Sequence, residues 1–331
     1  MGLGEAPLSP SFEKMQSVIL AAGKGSRLHP ITLERSKAML PILGKPIVAR
    51  VMETLLENGL RDFVLVVSPD DREIVKYFEA ESSLDVRLQF AVQAERRGMA
   101  DALSCAAPLV GDDFLLTACD NLVSGAEIRG MLALWNSTLQ PGGILALMDV
   151  TPEKIGSVGI VELEGEWVRH IVEKPDPARV SGNIASMPLY IFSKRILDYL
   201  PEVPLSPRGE YELQDAIQML IERDGRVRGS HAAGRLTLTS PADLLALNRH
   251  YLVNGNANHY GAPQSVGEAS KLIPPLHIEA GVVIGAECVI GPNVYIERDC
   301  RIGDGVAIRE SVLLRGVIVP AGAQIEGQVI S

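Results

Sequence analysis

From Ile278 onward isoleucine recurs at an interval of six, at Ile278, Ile284, Ile290, Ile296, Ile302 and Ile308. Four residues after each stands a small or β-branched residue: Val282, Cys288, Val294, Cys300, Val306 and Val312. Glycine directly follows Ile284, Ile290 and Ile302. Six residues per face is the spacing of a parallel β-helix, in which each isoleucine points into a triangular core. At 18 residues per coil, Ile278 to Ile330 predicts about three coils. The register then slips by one, to Leu313, Val319 and Ile325, which predicts a bulge or an edge coil near the terminus.

Upstream the periodicity is of another kind. Ser17–Ala21, Phe63–Ser68, Val86–Val92 and Phe114–Cys119 are short apolar runs with the character of strands, whereas Pro46–Glu57, Arg72–Glu79 and Met99–Ala106 space their apolar residues as helices do. Strand, helix, strand in that order predicts parallel strands joined by crossover helices, with ligands at the carboxyl ends of the strands. Gly159–Leu163, Val168–Val172 and Leu189–Phe192 read as shorter strands of an inserted sheet, and Glu210–Glu222 and Pro241–Leu252 as two further helices. The organisation expected is a loose extension over 1–14, an α/β domain over 15–253, a polar, Gly-rich linker over 254–271 and a β-helix over 272–331.

The formal charge of −10 argues against a broad electrostatic grip on nucleic acid or an anionic membrane. A phosphate ligand must then be held by a few placed cations. No uncharged apolar run approaches the roughly 18–20 residues that span a bilayer. Met1–Gln16 lacks the basic start and apolar stretch of a signal peptide, so a cytoplasmic location is expected. Cys105, Cys119, Cys288 and Cys300 form no CxxC pair and have no histidine at zinc-ligand spacing, as expected of reduced buried thiols.

The first strand runs into Leu20-Ala21-Ala22-Gly23-Lys24-Gly25-Ser26-Arg27-Leu28-His29-Pro30. Its glycines let backbone approach a ligand, and successive amides in such a turn cradle phosphate oxygens. Arg27 adds a planar fork suited to bidentate phosphate contacts. Neither GxxxxGK[ST] nor GxGxxG is met. Ser36-Lys37-Ala38-Met39-Leu40-Pro41 follows, ending in Gly44-Lys45-Pro46. Together the two segments resemble the signature of sugar-1-phosphate nucleotidyltransferases, roughly LAAGxGxRLxPxT and then PKxxLPxxxKP. Gln93–Ala102, Asp120-Asn121, Gly159, Glu173-Lys174-Pro175, Asn183 and Arg208–Leu213 fall in the family's order, so the resemblance covers about Met15 to Leu252.

That resemblance implies a Rossmann-like α/β nucleotidyltransferase domain followed by a short left-handed parallel β-helix of hexapeptide repeats. It implies that Ala22, Gly23, Gly25 and Arg27 hold a nucleoside triphosphate and that Lys37 stabilises charge at the α-phosphate. Gln93, helped by the backbone at Gly98, would read a pyrimidine edge, since an amide offers both donor and acceptor; this favours UTP or dTTP. Asp120 would ligate Mg²⁺. Gly159, Glu173 and Asn183 would meet the sugar, and Lys174 and Arg208 its phosphate. The implied partners are a nucleoside triphosphate and a hexose 1-phosphate, with no nucleic acid and no membrane.

Four residues depart from the pattern. Arg235 and Thr237 occupy the places of a tryptophan and of a second metal-binding carboxylate or amide, Met99 that of a threonine or leucine, and Pro188 that of a glycine. They keep open a second reading, a catalytically impaired homologue that binds a nucleotide sugar in a regulatory role. An acyltransferase tail is a third reading, disfavoured because three coils are too few for a complete cleft and His277 is the only histidine there. A homo-oligomer built through open β-helix edges is the expected assembly.

Overall fold

The computed structural model describes residues 15–254, 258–260 and 263–331; the extension expected over 1–14 lies outside the described residues. The described residues fall into two compact units, one within the bounds Met1–Gly23 and Val51–Arg235, the other within Lys24–Arg50 and Leu236–Ser331.

The first unit is built on one sheet of nine strands. These are β1 (Gln16–Leu20), β2 (Asp62–Val67), β3 (Arg87–Val92), β4 (Phe114–Ala118), β5 (Gly143–Asp149), β6 (Gly159–Glu164), β7 (Trp167–Glu173), β8 (Ile184–Phe192) and β9 (Val227–His231). Their order is β3-β2-β1-β4-β8-β5-β9-β7-β6, with β6 pairing also with β8. The β1–β2, β1–β4 and β2–β3 pairs are parallel, as the alternation of strands and helices predicts. The helix Met99–Ala106 buries Ala100, Ala102, Leu103 and Ala106 in the same core as Val18, Val64 and Leu116.

Gly159–Leu163, Val168–Val172 and Leu189–Phe192 do not form a separate inserted sheet. Leu189–Phe192 pairs antiparallel with Phe114–Thr117 in the middle of the main sheet, and the other two runs form its far end. Burial explains the placement: Leu189, Tyr190, Ile191 and Phe192 are all buried, which only a central strand allows. The helix expected at Glu210–Glu222 runs over Leu213–Arg223, because Tyr211 is extended and bonds its backbone to Arg97 and Ala100. The helix expected at Arg72–Glu79 stays α-helical only to Lys76, then widens into a π turn over Tyr77–Glu81.

In the second unit the hexads form three ladders of parallel strands, one per face. Ile278, Ile284, Ile290, Ile296, Ile302 and Ile308 are buried in one continuous core, as are Val282, Cys288, Val294, Cys300 and Val306. Burial pushes the Cys300 thiol up to about 11, so it is inert as a nucleophile. The slip of one residue makes no bulge in the ladders. Leu276 pairs with Val294 at an interval of 18, whereas Tyr295 pairs with Val312 at 17, and the missing residue is absorbed at a corner where Glu310 takes φ 48°.

The stretch expected to be a linker supplies strands. Asn258–Tyr260 pairs with Leu276–Ile278, Ser265–Val266 with Val283–Ile284, and Lys271–Leu272 with Val289–Ile290. Residues 255–257 and 261–262 of that stretch lie outside the described residues. Ser265 and Val266 are exposed, so this terminal coil has no need of the isoleucine that marks the inner ones. Among the described residues no helix is long and apolar enough to cross a membrane.

Ile296→Ala opens a cavity in a fully buried column and is expected to cost about 2–5 kcal/mol. Urea denaturation followed by far-UV circular dichroism reads it as a lowered midpoint; an unchanged midpoint would remove Ile296 from the core.

Candidate functional site

The parallel register brings the carboxyl ends of β1 to β4 together. Leu20 lies beside Val66 and Ala118, and Val67 beside Val92. The chain leaves each strand with its first amide still bonded inward: Ala21 to Val66, Gln93 to Val67 and Cys119 to Leu20, at 2.8, 2.9 and 3.1 Å. Ala22, Gly23, Gln93 and Asp120 therefore all follow strand ends in one part of the first unit. Arg96 ties two of these ends together, donating from Nε to the Ala22 carbonyl at 2.6 Å and from Nη2 to Ser68 Oγ at 2.9 Å.

Gln93 is buried, and its Nε2 donates to the Gly98 carbonyl at 3.1 Å and to Asp101 Oδ2 at 2.8 Å. Its amide hydrogens are thus engaged within the protein, which leaves Oε1 as the acceptor of this side chain. Gly98 has φ 105°, and a Cβ there would stand 2.5 Å from the Tyr211 carbonyl oxygen. Both the backbone angle and the space require glycine. Asp120 is buried, and it acts electrostatically on Arg235, whose guanidinium is lowered from its ordinary value chiefly by burial.

A second cluster gathers around β6, β7 and the helix Leu213–Arg223. Glu173 pairs with Gly159 across the ladder, and a Cβ at Gly159 would meet Glu173 Oε2 at 3.0 Å and Gln214 Nε2 at 3.2 Å. In this structure the room left by Gly159 is occupied by those two side chains. Lys174 Nζ lies 3.3 Å from Glu173 Oε1, and Arg208 Nη2 lies 2.7 Å from Glu212 Oε1. Asn183 is exposed just before β8, and its Nδ2 donates to the Val150 carbonyl at 3.2 Å. No hydrogen bond links it to Glu173 among the described residues. Pro188 sits where the β8–β5 register shifts between Ser186 and Tyr190, so its missing N–H breaks no ladder bond. Its carbonyl accepts from Thr117 Oγ1 at 3.0 Å and from Asn121 Nδ2 at 3.3 Å.

The second unit carries Gly25, Arg27, Lys37 and Thr237. Gly25 is left-handed at φ 63°, and a Cβ there would lie 3.0 Å from Lys37 Cβ and 3.2 Å from Thr32 Cγ2. Thr32 Oγ1 closes the turn by donating to the Gly25 carbonyl at 2.8 Å. The glycine turn and the lysine segment are thus packed directly on each other.

Sequence alone assigns no role to Arg96 or Gln214, and none to Glu212 beyond its place in the Arg208–Leu213 run. Arg96 lies inside the quoted Gln93–Ala102 segment, but nothing in one sequence separates it from Arg97, whose guanidinium bonds Asp101 instead. Gln214 has no signal beyond its place after the Arg208–Leu213 run.

Residues 16–233 match the nucleotidyl transferase family, and residues 272–331 match the GMPPB C-terminal domain. The chain is 29% identical over 282 residues to the bifunctional protein GlmU of Methanococcus maripaludis, covering 84% of this chain and only 62% of that relative. It is 29% identical over 338 residues to a glucose-1-phosphate thymidylyltransferase of Streptomyces griseus, covering 96% of this chain and 92% of the other. Among solved structures, a UDP-glucose pyrophosphorylase complexed with UDP-glucose superposes with a TM-score of 0.65 at 23% identity, covering 72% of this chain and 98% of that one. That likeness shows the fold.

Burial raises the Glu173 carboxyl above its usual value, more than Lys174 lowers it. A raised acid favours folding most when protonated, so its contribution is full below about 4.3 and is lost as pH rises through the folded value. Glu173→Gln is therefore expected to be more stable than the wild type at pH 7, with the gap closing towards pH 4. Thermal melts at both pH values check this; a less stable variant at pH 7 would mean that the Lys174 pairing outweighs burial.

Proposed function

We propose, from the premise that this chain belongs to the nucleotidyl transferase family, that it transfers a nucleoside monophosphate from UTP or dTTP to a hexose 1-phosphate, with glucose 1-phosphate the first candidate. The products are a nucleotide sugar and pyrophosphate. The observation that carries the reading is the meeting of Ala22, Gly23, Gln93 and Asp120 at the carboxyl ends of parallel strands, where α/β sheets hold their ligands. The name of the Streptomyces griseus relative, which the chain matches over nearly its whole length, supports the same reaction.

In the reaction an oxygen of the sugar phosphate attacks the α-phosphorus in line. A new P–O bond forms as the bond from the α-phosphorus to the bridging oxygen breaks, and pyrophosphate leaves with that oxygen and its electron pair. No general base is needed, because the attacking phosphate oxygen is already anionic. The backbone at Ala22, Gly23 and Gly25 cradles the triphosphate, with Arg27 as a bidentate clamp. Lys37 neutralises charge that accumulates on the α-phosphoryl oxygens. Gln93 Oε1 accepts from the N3–H of uracil or thymine. Lys174 and Arg208 hold the sugar phosphate, and Glu173 and Asn183 the sugar.

Among the described residues no group of three or more His, Cys, Asp or Glu could hold a metal on its own. Asp120 as a single carboxylate still fits Mg²⁺, which takes one or two protein carboxylates and completes its shell with phosphates and water. When bound there with the triphosphate, the ion would screen phosphate charge. The regulatory alternative has its own observation: Arg235, half-buried, is an electrostatic partner of Asp120. Homo-oligomer formation through the β-helix is supported by exposed apolar residues there, among them Ile318 at 74%; light scattering is expected to give a multiple of the 35.6 kDa chain mass, and a monomer would remove this part.

The deciding assay is pyrophosphate release with Mg²⁺, crossing the nucleoside triphosphates against glucose, mannose, galactose and N-acetylglucosamine 1-phosphates. Release is expected only from UTP or dTTP, and Lys37→Met is expected to lower kcat by about 10²–10³. Folded protein that binds UTP but releases nothing in any pair would overturn the catalytic reading in favour of the regulatory one. In that event Thr237→Asp is expected to restore turnover if the lost carboxylate is the cause.

A further inference from the structure

Lys37 lies in a 3₁₀ turn of three residues, Lys37–Met39, preceded by Ser36 with no side-chain cap. So short a turn does not hold itself in place, so its position is set by whatever grips the chain on either side. On the upstream side the grip is Arg35. Its guanidinium reaches Glu297 of the β-helix with two bonds, Nη1 to Oε2 at 3.0 Å and Nη2 to Oε1 at 2.6 Å. Both side chains are only 7% exposed, and the Arg315 amide donates a further bond to Glu297 Oε2 at 2.8 Å. Among the described residues Arg35 is the only lysine or arginine in the buried class. A buried fork-on-carboxylate pair fixes direction as well as distance, because both bonds are made only in one relative orientation.

On the downstream side a hairpin of Pro41–Ile42 with Lys45–Pro46 is held in the same unit. Asn248 takes the Leu43 amide at 3.0 Å and donates to the Pro41 carbonyl at 3.2 Å, and the Gly44 amide donates to Tyr295 Oη at 3.3 Å. Tyr295 in turn donates to Glu279. Tyr295 and Glu297 are near neighbours on the β-helix, so one coil grips the lysine segment from both ends. The close packing of Lys37 on Gly25 passes any displacement on to the glycine turn.

We propose that the β-helix is a platform for the signature lysine, and that Glu297, acting through Arg35, is a positioning residue for Lys37. The inference rests on the phosphate role given to Lys37 above, but its structural half stands apart from it. The deciding experiment compares wild type, the near-isosteric Glu297→Gln, and the exchanged pair Arg35→Glu with Glu297→Arg in the full chain. Hydrogen exchange is read at the Met39 and Leu40 amides, which close the lysine turn onto Ser36 and Lys37. Glu297→Gln is expected to speed these two by about tenfold or more, while amides of the inner β-helix coils change less than about twofold. The same variant is expected to lower kcat at little change in KM for the sugar phosphate, with partial recovery in the exchanged pair. Unchanged exchange at Met39 and Leu40, or an equal loosening of the inner coils, would overturn the proposal. A wild type without pyrophosphate release would defeat the reaction assigned above, while the exchange result would still decide whether Glu297 positions the lysine turn.

Discussion

The first unit depends on the parallel register of β1 with its two neighbours. Because Gln16–Leu20 pairs residue for residue with Asp62–Val66 on one side and with Phe114–Ala118 on the other, three strands end level. Four segments of unrelated sequence thereby leave the sheet in the same region: Ala21–Gly23, Ser68, Gln93 and Cys119–Asp120. A one-residue slip of β1 would turn Val18 away from its core and move the start of the glycine loop by one position. Arg96 reinforces this arrangement from outside the sheet, bonding the Ala22 carbonyl and Ser68. The anionic chain needs such placement. With a net charge of −10 it cannot attract the proposed nucleoside triphosphate by bulk charge, so under that proposal a few cations and aligned amides would do so locally.

In the second unit the governing quantity is the column of isoleucines. Each apolar side chain taken fully from water contributes about 1.5–3 kcal/mol, repeated coil after coil. Such a stack is stiff enough to carry the buried Arg35–Glu297 pair. Burying two charges is costly, and the pair offsets that cost only while both partners stay aligned; removing one typically costs about 3–5 kcal/mol. A flexible tail could not keep them so.

Much of this was legible in the sequence, for identifiable reasons. The β-helix was readable because its core demands one residue type at one interval, and the parallel strands because their apolar runs alternate with helical ones. The strands at Asn258–Tyr260, Ser265–Val266 and Lys271–Leu272 are not legible, since an edge strand exposed at Ser265 and Val266 needs no isoleucine. Leu189–Phe192 was recognised as a strand, but pairing partners are not written into a local run, so its place at the centre of the sheet was not. Candidate site residues come from motifs; the contacts around them do not. Arg35 and Glu297 stand 262 positions apart, and neither belongs to a pattern. The amide of Gln93 shows the same limit from another side. Its residue type suggests both donor and acceptor, yet Asp101 and Gly98 take its hydrogens.

The proposed reaction depends above all on nucleotide binding where β1 to β4 end. Its most direct test is hydrogen exchange of the wild-type protein with and without UTP and Mg²⁺, read peptide by peptide. Slowed exchange is expected in the segments around Ala21–Leu28, Gln93–Ala100 and Cys119–Asn121. Slowing confined to the β-helix coils, with those three segments unchanged, would contradict it.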